Sequence, residues 1–278
     1  MGEVGIEYQT VLGYPPVEFV HLAADLGCHA ISMKARTGSH NPYNPYGYGE
    51  FSFLDNPSLR RQMAAALKDR GVSISLAEGF VVVPGADLTD DLASLDVMWE
   101  LGASRANAVT LDPDLGRSFD QFAAFAEAAA ERDMQTTLEF SKSLALSDLD
   151  TALVAVRYVG RTDFGLLIDT MHLVRSGSTA TDLAALDPAL FGYVQLSDAA
   201  LEQRNAVYRD DSSDRSVPGE GELPLAEIMS VLPEWLPVGV EAPMRSRAEQ
   251  GMPVRECARL AVEGARAVLA EVRSMPRD

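Results

Sequence analysis

The sequence predicts an α/β fold, a single closed (β/α)8 barrel, over all 278 residues. Short apolar runs alternate with longer segments of helical periodicity, and eight such runs can be read along the chain. Eight units in 278 residues give about 35 residues per unit, which is typical of this barrel. No linker-like segment or change of composition divides the chain, so we expect one domain over residues 1–278.

Predicted strands and helices alternate from one end of the chain to the other. Proline suits the first turn of a helix and glycine suits its end, so Pro15, Pro16 and Gly27 delimit the first helix. Consecutive strands in such a series are expected to be parallel, with right-handed crossovers. The predicted strands span residues 4–12, 30–33, 72–77, 105–111, 135–140, 165–168, 192–196 and 238–241. The predicted helices span residues 15–27, 57–69, 88–101, 119–132, 148–159, 181–190, 225–232 and 254–273.

A doubly wound open sheet is the alternative fold for the same alternation. That fold carries its phosphate-binding glycines directly after the first strand. No GxGxxG motif follows the first predicted strand, and no GxxxxGK[ST] motif occurs anywhere in the chain. The closed barrel is therefore the favoured prediction.

The charge balance argues against two classes of partner. Lys and Arg total 23 against 41 Asp and Glu, a formal net charge of −18. Nucleic acids and anionic membranes are bound through basic patches, so we expect neither as a partner. No apolar run approaches about 18 residues and no signal peptide is recognisable, so we expect no membrane span. Cys28 and Cys257 belong to no CxxC or Cys/His cluster, and we expect a reduced, cytoplasmic protein.

Two long segments follow predicted strands and are candidate lids over the barrel mouth. They are residues 39–53, rich in Asn, Pro and Tyr, and the polar residues 199–222. The first segment contains five aromatic residues, Tyr43, Tyr46, Tyr48, Phe51 and Phe53. These rings either close over a sugar or aromatic substrate, or pack on the barrel rim or on a second subunit, so a homo-oligomer stays open.

Four polar residues stand at the carboxyl ends of neighbouring predicted strands. They are Glu139, Asp169, Gln195 and Glu241, on strands five to eight. In a barrel such residues face the catalytic mouth, so we expect the four side chains to surround one point. Three carboxylates there repel one another unless their pKa values rise or a cation neutralises them. One acid alone is better explained as a helix cap, but four polar residues on adjacent strands favour a metal site.

The ligand types indicate which metal the site prefers. Four oxygen donors without a thiolate are typical of a site for a hard divalent cation. Gln195 offers a neutral amide oxygen, whereas an imidazole there would shift the preference toward zinc. We therefore expect one Mn²⁺ or Mg²⁺ ion, with Zn²⁺ or Co²⁺ as alternatives.

Other polar residues near the strand ends are candidate substrate contacts. His172 is placed to bind a substrate hydroxyl or to relay a proton, unless it is only hydrogen-bonded within a loop. Arg215 either holds a carboxylate, phosphate or polarised hydroxyl over the mouth, or is a solvated loop charge. The remaining candidates are Glu78, Lys34 and Lys142, and each either lines the cavity or forms a surface ion pair.

Short patterns at these positions resemble the xylose-isomerase-like TIM-barrel family. That family holds sugar-phosphate isomerases, ketose 3-epimerases, inosose dehydratases and isomerases, and endonuclease IV. The patterns are Leu138-Glu139, Ile168-Asp169-Thr170-Met171-His172, Gln195-Leu196-Ser197-Asp198, Pro218-Gly219-Glu220-Gly221 and Gly239-Val240-Glu241. They extend over nearly the whole chain, and they are fairly specific for the superfamily and poorly specific for a substrate.

The resemblance implies a role for each of these residues. The implied metal ligands are Glu139, Asp169, Gln195 and Glu241. It also implies that Glu139 and Glu241 form an acid/base pair, and that His172 and Arg215 contact the substrate. Epimerases of the family usually have histidine where this chain has Gln195, and glutamine there is similar to 3-dehydroshikimate dehydratases. Endonuclease IV fits worst, because its zinc cluster needs several histidines and this chain has only four.

The activity implied by the resemblance is that of a metal-dependent isomerase or epimerase. Its substrate would be a sugar, a sugar phosphate or a related polyhydroxy carbonyl compound, converted through an enediolate. A carboxylate or His172 would remove a proton and return it elsewhere, or expel a β-hydroxyl. The alternatives are a dehydratase of the 3-dehydroshikimate or inosose type, and a barrel without catalysis that binds a small ligand or a partner.

Overall fold

Eight parallel strands form a closed barrel in the computed structural model, which describes residues 4–37 and 44–275. Each strand pairs with the next one in the chain, and the last pairs with the first. This arrangement confirms the predicted (β/α)8 barrel. The strands are β1 (Val4–Ile6), β2 (Ala30–Lys34), β3 (Ser73–Val82), β4 (Arg105–Thr110), β5 (Gln135–Glu139), β6 (Phe164–Asp169), β7 (Phe191–Leu196) and β8 (Val238–Val240).

Helices connect the strands and cover the outside of the barrel. The helices are α1 (Pro16–Asp25), α2 (Pro57–Arg70), α3 (Leu92–Glu100), α4 (Leu115–Ala130), α5 (Leu149–Val159), α6 (Thr170–Arg175), α7 (Ala180–Ala184), α8 (Tyr208–Ser212), α9 (Leu225–Val231), α10 (Arg245–Glu249) and α11 (Val254–Ser274). Short 3-10 helices span Tyr8–Val11, Leu88–Asp91 and Pro188–Leu190. Most of the predicted helices are present, and the short α6, α8 and α10 after the last three strands were not predicted.

The first strand is shorter than the predicted residues 4–12. It ends at Ile6, and a 3-10 helix follows because the backbone leaves the ladder. The amide of Tyr8 donates to the hydroxyl of Ser32 at 2.9 Å, and Thr10 Oγ1 donates to the carbonyl of Val240 at 2.8 Å. These bonds turn the chain at the barrel mouth, so Glu7 stands at the end of the strand.

The third strand is longer than the predicted residues 72–77. After a register irregularity, its residues 80–82 pair with residues 108–110 of β4. Glu78 therefore lies within β3, beside its register partner Lys34 on β2. Because side chains alternate along a strand, Lys34 and Ser32 lie on the same face of β2.

A layer of large side chains lies inside the barrel below the polar mouth. Leu76, Leu167 and Tyr193 form a buried cluster separate from the main core. They belong to β3, β6 and β7, and β3 is not a neighbour of the other two, so the cluster lies inside the barrel. Two residues further along β6 and β7 come Asp169 and Gln195, on the same face and one layer nearer the mouth.

The described part of the first long segment packs against the barrel. Phe53 is fully buried in the core, and Tyr46 donates to the carbonyl of Met252 at 2.8 Å. Phe51 lies edge-on to Tyr8, with ring centroids 5.9 Å apart. These contacts support the packing interpretation, while Tyr43 lies outside the described residues. No helix in residues 4–37 and 44–275 is both long and apolar enough to cross a membrane.

Candidate active site

The four strand-end residues lie side by side at one edge of the barrel mouth. Glu139 and Asp169 are the last residues of β5 and β6, Gln195 is the penultimate residue of β7, and Glu241 directly follows β8. Asp169 and Gln195 are register partners between β6 and β7. Asp169 and Gln195 are each 1% exposed and Glu241 is 7% exposed. The sequence placed these residues on adjacent strands, and the structure agrees.

Arg215 joins two of the carboxylates. Its Nη1 donates to Asp169 Oδ2 at 2.5 Å, and its Nη2 lies 3.0 Å from Glu241 Oε2. The guanidinium is buried, so the ion pairs are shielded from solvent. Burial acts to lower the pKa of Arg215, but Asp169 and Glu241 together raise it. Arg215 is therefore a buried partner of the site and not a solvated loop charge.

A second contact joins Glu139 to the same cluster. His172 Nε2 lies 3.5 Å from Glu139 Oε1, and Asn107 Nδ2 donates to Glu139 Oε2 at 3.2 Å. Glu139, Asp169 and His172 each offer a ligand atom, and these atoms all lie within 4.8 Å of one another. These three residues form a group that has the spacing to hold a metal ion.

Asp169 is positioned by its place at the start of α6. Its Oδ1 accepts the amides of Met171 at 2.8 Å and His172 at 3.0 Å, and the hydroxyl of Ser197 at 2.9 Å. This is an N-cap, which stabilises the first turn of the helix. The helix-cap explanation thus holds for one oxygen of Asp169, while the other oxygen faces Arg215.

The loop after β7 positions Arg215 through Asp198. The Asp198 carboxylate accepts the backbone amides of Gly219 at 2.8 Å and Gly221 at 2.9 Å. A side chain at Gly221 would overlap this carboxylate, which explains the glycine. The amide of Arg215 donates to the carbonyl of Pro243 at 2.7 Å, which ties the same loop to the segment after β8. The Pro218-Gly219-Glu220-Gly221 pattern therefore shapes the loop that carries Arg215.

The pKa values of Glu139 and Glu241 are raised, whereas the pKa of Asp169 is lowered. Burial, and then the charge of Asp169, raise the pKa of Glu139 to about 8. Burial also raises the pKa of Glu241 well above its usual range, although Arg215 opposes the rise. Burial acts to raise the pKa of Asp169 too, but Arg215 and His172 hold it below its usual range. One permanent anion, Asp169, thus lies with two carboxyl groups whose protonated forms are favoured by burial.

His172 is buried and neutral in this environment. Burial lowers the pKa of His172 to about 4, against the opposing charge of Asp169. Its Nδ1 lies 2.7 Å from Tyr208 Oη on α8, which fixes the plane of the imidazole ring. Asp211 anchors the loop that carries Tyr208, since it pairs with Arg175 at 3.2 Å and accepts the amide of Arg204 at 2.8 Å.

Gln195 faces carboxylates with its nitrogen. Its Nε2 donates to Glu78 Oε1 at 3.2 Å, to Glu7 Oε2 at 3.4 Å and to Glu241 Oε1 at 3.5 Å. Its Oε1 is buried and has no hydrogen-bond partner among the residues that the structure describes. A buried amide oxygen without a donor is an available ligand for a cation.

Of the remaining predicted substrate contacts, Glu78 and Lys34 line a cavity, and Lys142 is exposed on the surface. Glu78 is half-buried, accepts the hydroxyl of Ser32 at 2.9 Å and lines a cavity of about 290 Å³ with Lys34. Lys142 is exposed, and within the described part of the chain no hydrogen bond or ion pair joins it to the cluster. The assignment of Lys142 as a substrate contact stays a prediction.

Three residues of the site were not found from the sequence. Glu7 is fully buried, and burial together with Glu78 raises its pKa to about 8. Asn107 and Tyr208 contact Glu139 and His172 respectively. Glu7 directly follows β1, and a predicted first strand that ended at Ile6 would have placed it with the other strand-end acids.

The donor set fits a divalent cation. Three carboxylates, one unpartnered amide oxygen and one imidazole are present, and no cysteine belongs to the group. Such oxygen-rich sites suit Mn²⁺ or Mg²⁺, and the imidazole also suits Zn²⁺.

A family profile described as Xylose isomerase-like TIM barrel matches residues 20–260. The chain belongs to this family. The matched residues include strands β2 to β8 of this chain and all four strand-end residues. No curated protein sequence matches the chain significantly.

Solved structures with the xylose-isomerase-like barrel share the fold at low sequence identity. IolI with a bound zinc atom has a TM-score of 0.79 and 18% identity, and the alignment covers 99% of this chain and 100% of IolI. D-psicose 3-epimerase from Clostridium cellulolyticum H10 has a TM-score of 0.67 and 14% identity, with 98% of each chain covered. The probable 3-DHS dehydratase AsbF from Bacillus anthracis has a TM-score of 0.71 and 11% identity, with 95% and 99% covered.

Proposed function

We propose that this chain is a divalent-metal-dependent isomerase or epimerase of a sugar, a sugar phosphate or a related polyhydroxy carbonyl compound. One observation carries the proposal. Two glutamates with raised pKa values, the partly buried Glu139 and the buried Glu241, flank the anionic Asp169 at the barrel mouth. Such a pair can remove a proton from carbon on one side of a substrate and supply one on the other.

The residues that would hold the metal are Glu139, Asp169, Gln195 and Glu241, with His172 as a further candidate. A bound divalent cation polarises a carbonyl oxygen and so acidifies the neighbouring C–H group. The oxygen donors favour Mn²⁺ or Mg²⁺ in this role. Asp169 and Glu241 both pair with Arg215, so cation binding requires the guanidinium to share or leave these carboxylates.

The protein side chains supply the remaining steps. Glu139 and Glu241 hold or accept the proton that moves, because burial raises the pKa of each group and favours its protonated form. His172 is neutral, so it binds a substrate hydroxyl without adding a charge. Arg215 is placed to bind an oxygen that becomes more negative during the reaction.

A dehydratase is the second candidate. The resemblance places Gln195 where epimerases of the family usually have histidine, and the probable 3-DHS dehydratase AsbF shares the fold with a TM-score of 0.71. Loss of a β-hydroxyl begins with the same proton abstraction, so Glu139 and Glu241 suit both reactions.

Incubation of the purified chain with Mn²⁺ in deuterated buffer tests the proposal. A panel of ketoses, ketose phosphates and 3-dehydroshikimate is followed by NMR and by ultraviolet absorbance. Isomerisation or epimerisation incorporates deuterium at carbon without a new absorbance, whereas dehydration produces a conjugated chromophore.

The variants Glu139→Gln and Glu241→Gln should abolish the metal-dependent turnover. Glu131→Gln is the matched control, because Glu131 is exposed on the outside of the barrel, directly after α4. Full activity in either site variant contradicts the proposed acid/base pair. Metal-dependent ligand binding without turnover of any of these compounds would favour a non-catalytic barrel.

A further inference from the structure

We infer that Glu7 and Glu78 are positioning residues that orient the Gln195 amide, with its nitrogen toward them and its oxygen left free for the metal. The inference rests on the proposed metal-dependent function, and it gives Glu78 a role other than direct substrate contact. Glu7 contributes no strand-end signal in the sequence, yet it lies buried beside Gln195.

The chemistry of the amide fixes its orientation. An amide nitrogen carries two donors and no acceptor, and an amide oxygen only accepts. Every hydrogen bond of Gln195 Nε2 goes to a carboxylate oxygen, on Glu78 at 3.2 Å, Glu7 at 3.4 Å and Glu241 at 3.5 Å. A rotated amide would bring its oxygen against three carboxyl groups, where every ionised oxygen would repel it, so the observed orientation is preferred wherever these groups are ionised.

The oxygen of the Gln195 amide is the atom that would bind the metal. Within the described residues, Gln195 Oε1 is buried and receives no hydrogen bond. A buried acceptor is normally satisfied, and an unsatisfied one calls for a ligand or ion. Gln195 is the register partner of Asp169, so the two side chains project from the same face of the sheet.

The surroundings of Glu7 are built to hold its carboxylate. Tyr193 donates to Glu7 Oε1 at 2.8 Å, which leaves Oε2 for Gln195. A Cβ at Gly239 would overlap Glu7 Oε1, so only glycine there admits the side chain. Glu7 is thus fixed from one side by Tyr193 and Gly239 and turned toward the amide on the other. Outer groups of this kind orient metal ligands and tune the affinity for the metal.

Calorimetric titration of the full chain with Mn²⁺ tests the inference. In Glu7→Gln, the new amide competes with Gln195 for acceptors and can donate to its oxygen. We expect the Mn²⁺ affinity to fall about 10-fold or more. In the Gln195→Glu background the same change should cost little affinity, because a carboxylate has two acceptor oxygens and keeps one for the metal.

Two further variants keep the test decisive. Asp112→Asn also turns a buried carboxylate into an amide, but Asp112 contacts Arg117 and none of these residues, so its Mn²⁺ affinity should stay within about twofold of the parent. If Glu7→Gln does not fold, Glu78→Gln replaces it, alone and with Gln195→Glu, because Glu78 accepts from the same nitrogen.

The outcomes separate this inference from the proposed function. Parent protein that binds Mn²⁺, with Glu7→Gln weakened only in the Gln195 background, supports both. Parent protein that binds Mn²⁺ with unchanged affinity in Glu7→Gln overturns the positioning role and leaves the metal centre intact. Equal losses with Gln195 and with Gln195→Glu also overturn it, since they indicate a charge effect. No Mn²⁺ binding by the parent protein overturns both.

Discussion

Asp169 Oδ2 and Arg215 Nη1 lie 2.5 Å apart, and both side chains are buried. The same guanidinium reaches Glu241 at 3.0 Å, so one positive charge serves two carboxylates. Among the described residues, the neutral His172 is the only basic side chain with an ion-pair contact to Glu139. The mouth therefore has more carboxyl groups than basic groups, and a cation that displaced their protons would find an oxygen-rich site.

Removal of Arg215 should make the metal-free protein depend on a cation. In Arg215→Met, Asp169 and Glu241 lose their buried partner, and we expect a loss of about 3–5 kcal/mol of unfolding free energy without metal. Urea unfolding with and without Mn²⁺ measures the effect, and Mn²⁺ should stabilise this variant more than the parent. Arg161→Met removes a partly exposed ion pair with Asp163 as a control and should cost no more than about 1 kcal/mol. Equal, small losses in both variants would contradict the role of Arg215.

Glu139→Gln should separate activity from stability. Burial disfavours the Glu139 carboxylate, so the neutral amide is expected to raise the stability of the metal-free protein above pH 8. The same change removes an acid/base group, and kcat should fall about 100- to 10,000-fold. Thermal unfolding and steady-state kinetics on one preparation measure both. A variant that loses stability and keeps its kcat would show a purely structural role.

Mn²⁺ binding should strengthen as the pH rises from 6 to 9. In the folded, metal-free protein Glu139 and Glu7 have pKa values of about 8, above their ordinary values, so they hold protons that a cation must displace. Without metal the same groups make the folded state less stable as the pH rises from the ordinary glutamate range through about 8. Titrations in buffers of different ionisation enthalpy count the released protons. Binding that releases none at pH 7 would contradict these shifts.

Tyr208→Phe should weaken catalysis without weakening the metal site. The change removes the hydroxyl that lies 2.7 Å from His172 Nδ1, so the imidazole loses the group that fixes its plane. We expect kcat to fall about 10-fold and the Mn²⁺ affinity to stay within about twofold of the parent. Kinetics and calorimetry check the two values. An unchanged kcat would show that the loop does not position His172.

Much of the fold, and the four strand-end residues of the site, could be predicted from the positions at which the apolar runs end. Parallel strands in a barrel bring all their carboxyl ends to one rim, so Asp169 and Gln195 could be placed together from apolar runs alone. Glu7 escaped notice because the apolar run from Val4 continues past it, and the turn at Tyr8 depends on Ser32, a residue 24 positions away. Tyr208 lies in a polar loop without periodicity, so its contact with His172 depends on tertiary structure.

A crystal structure with Mn²⁺, with data collected where manganese scatters anomalously, tests the central claim most directly. The claim is that Glu139, Asp169, Gln195 and Glu241 hold one divalent cation. We predict a single strong anomalous peak within coordinating distance of these four side chains, with the oxygen of Gln195 as a ligand. A peak elsewhere, or no peak while Arg215 still bridges Asp169 and Glu241, would contradict the claim.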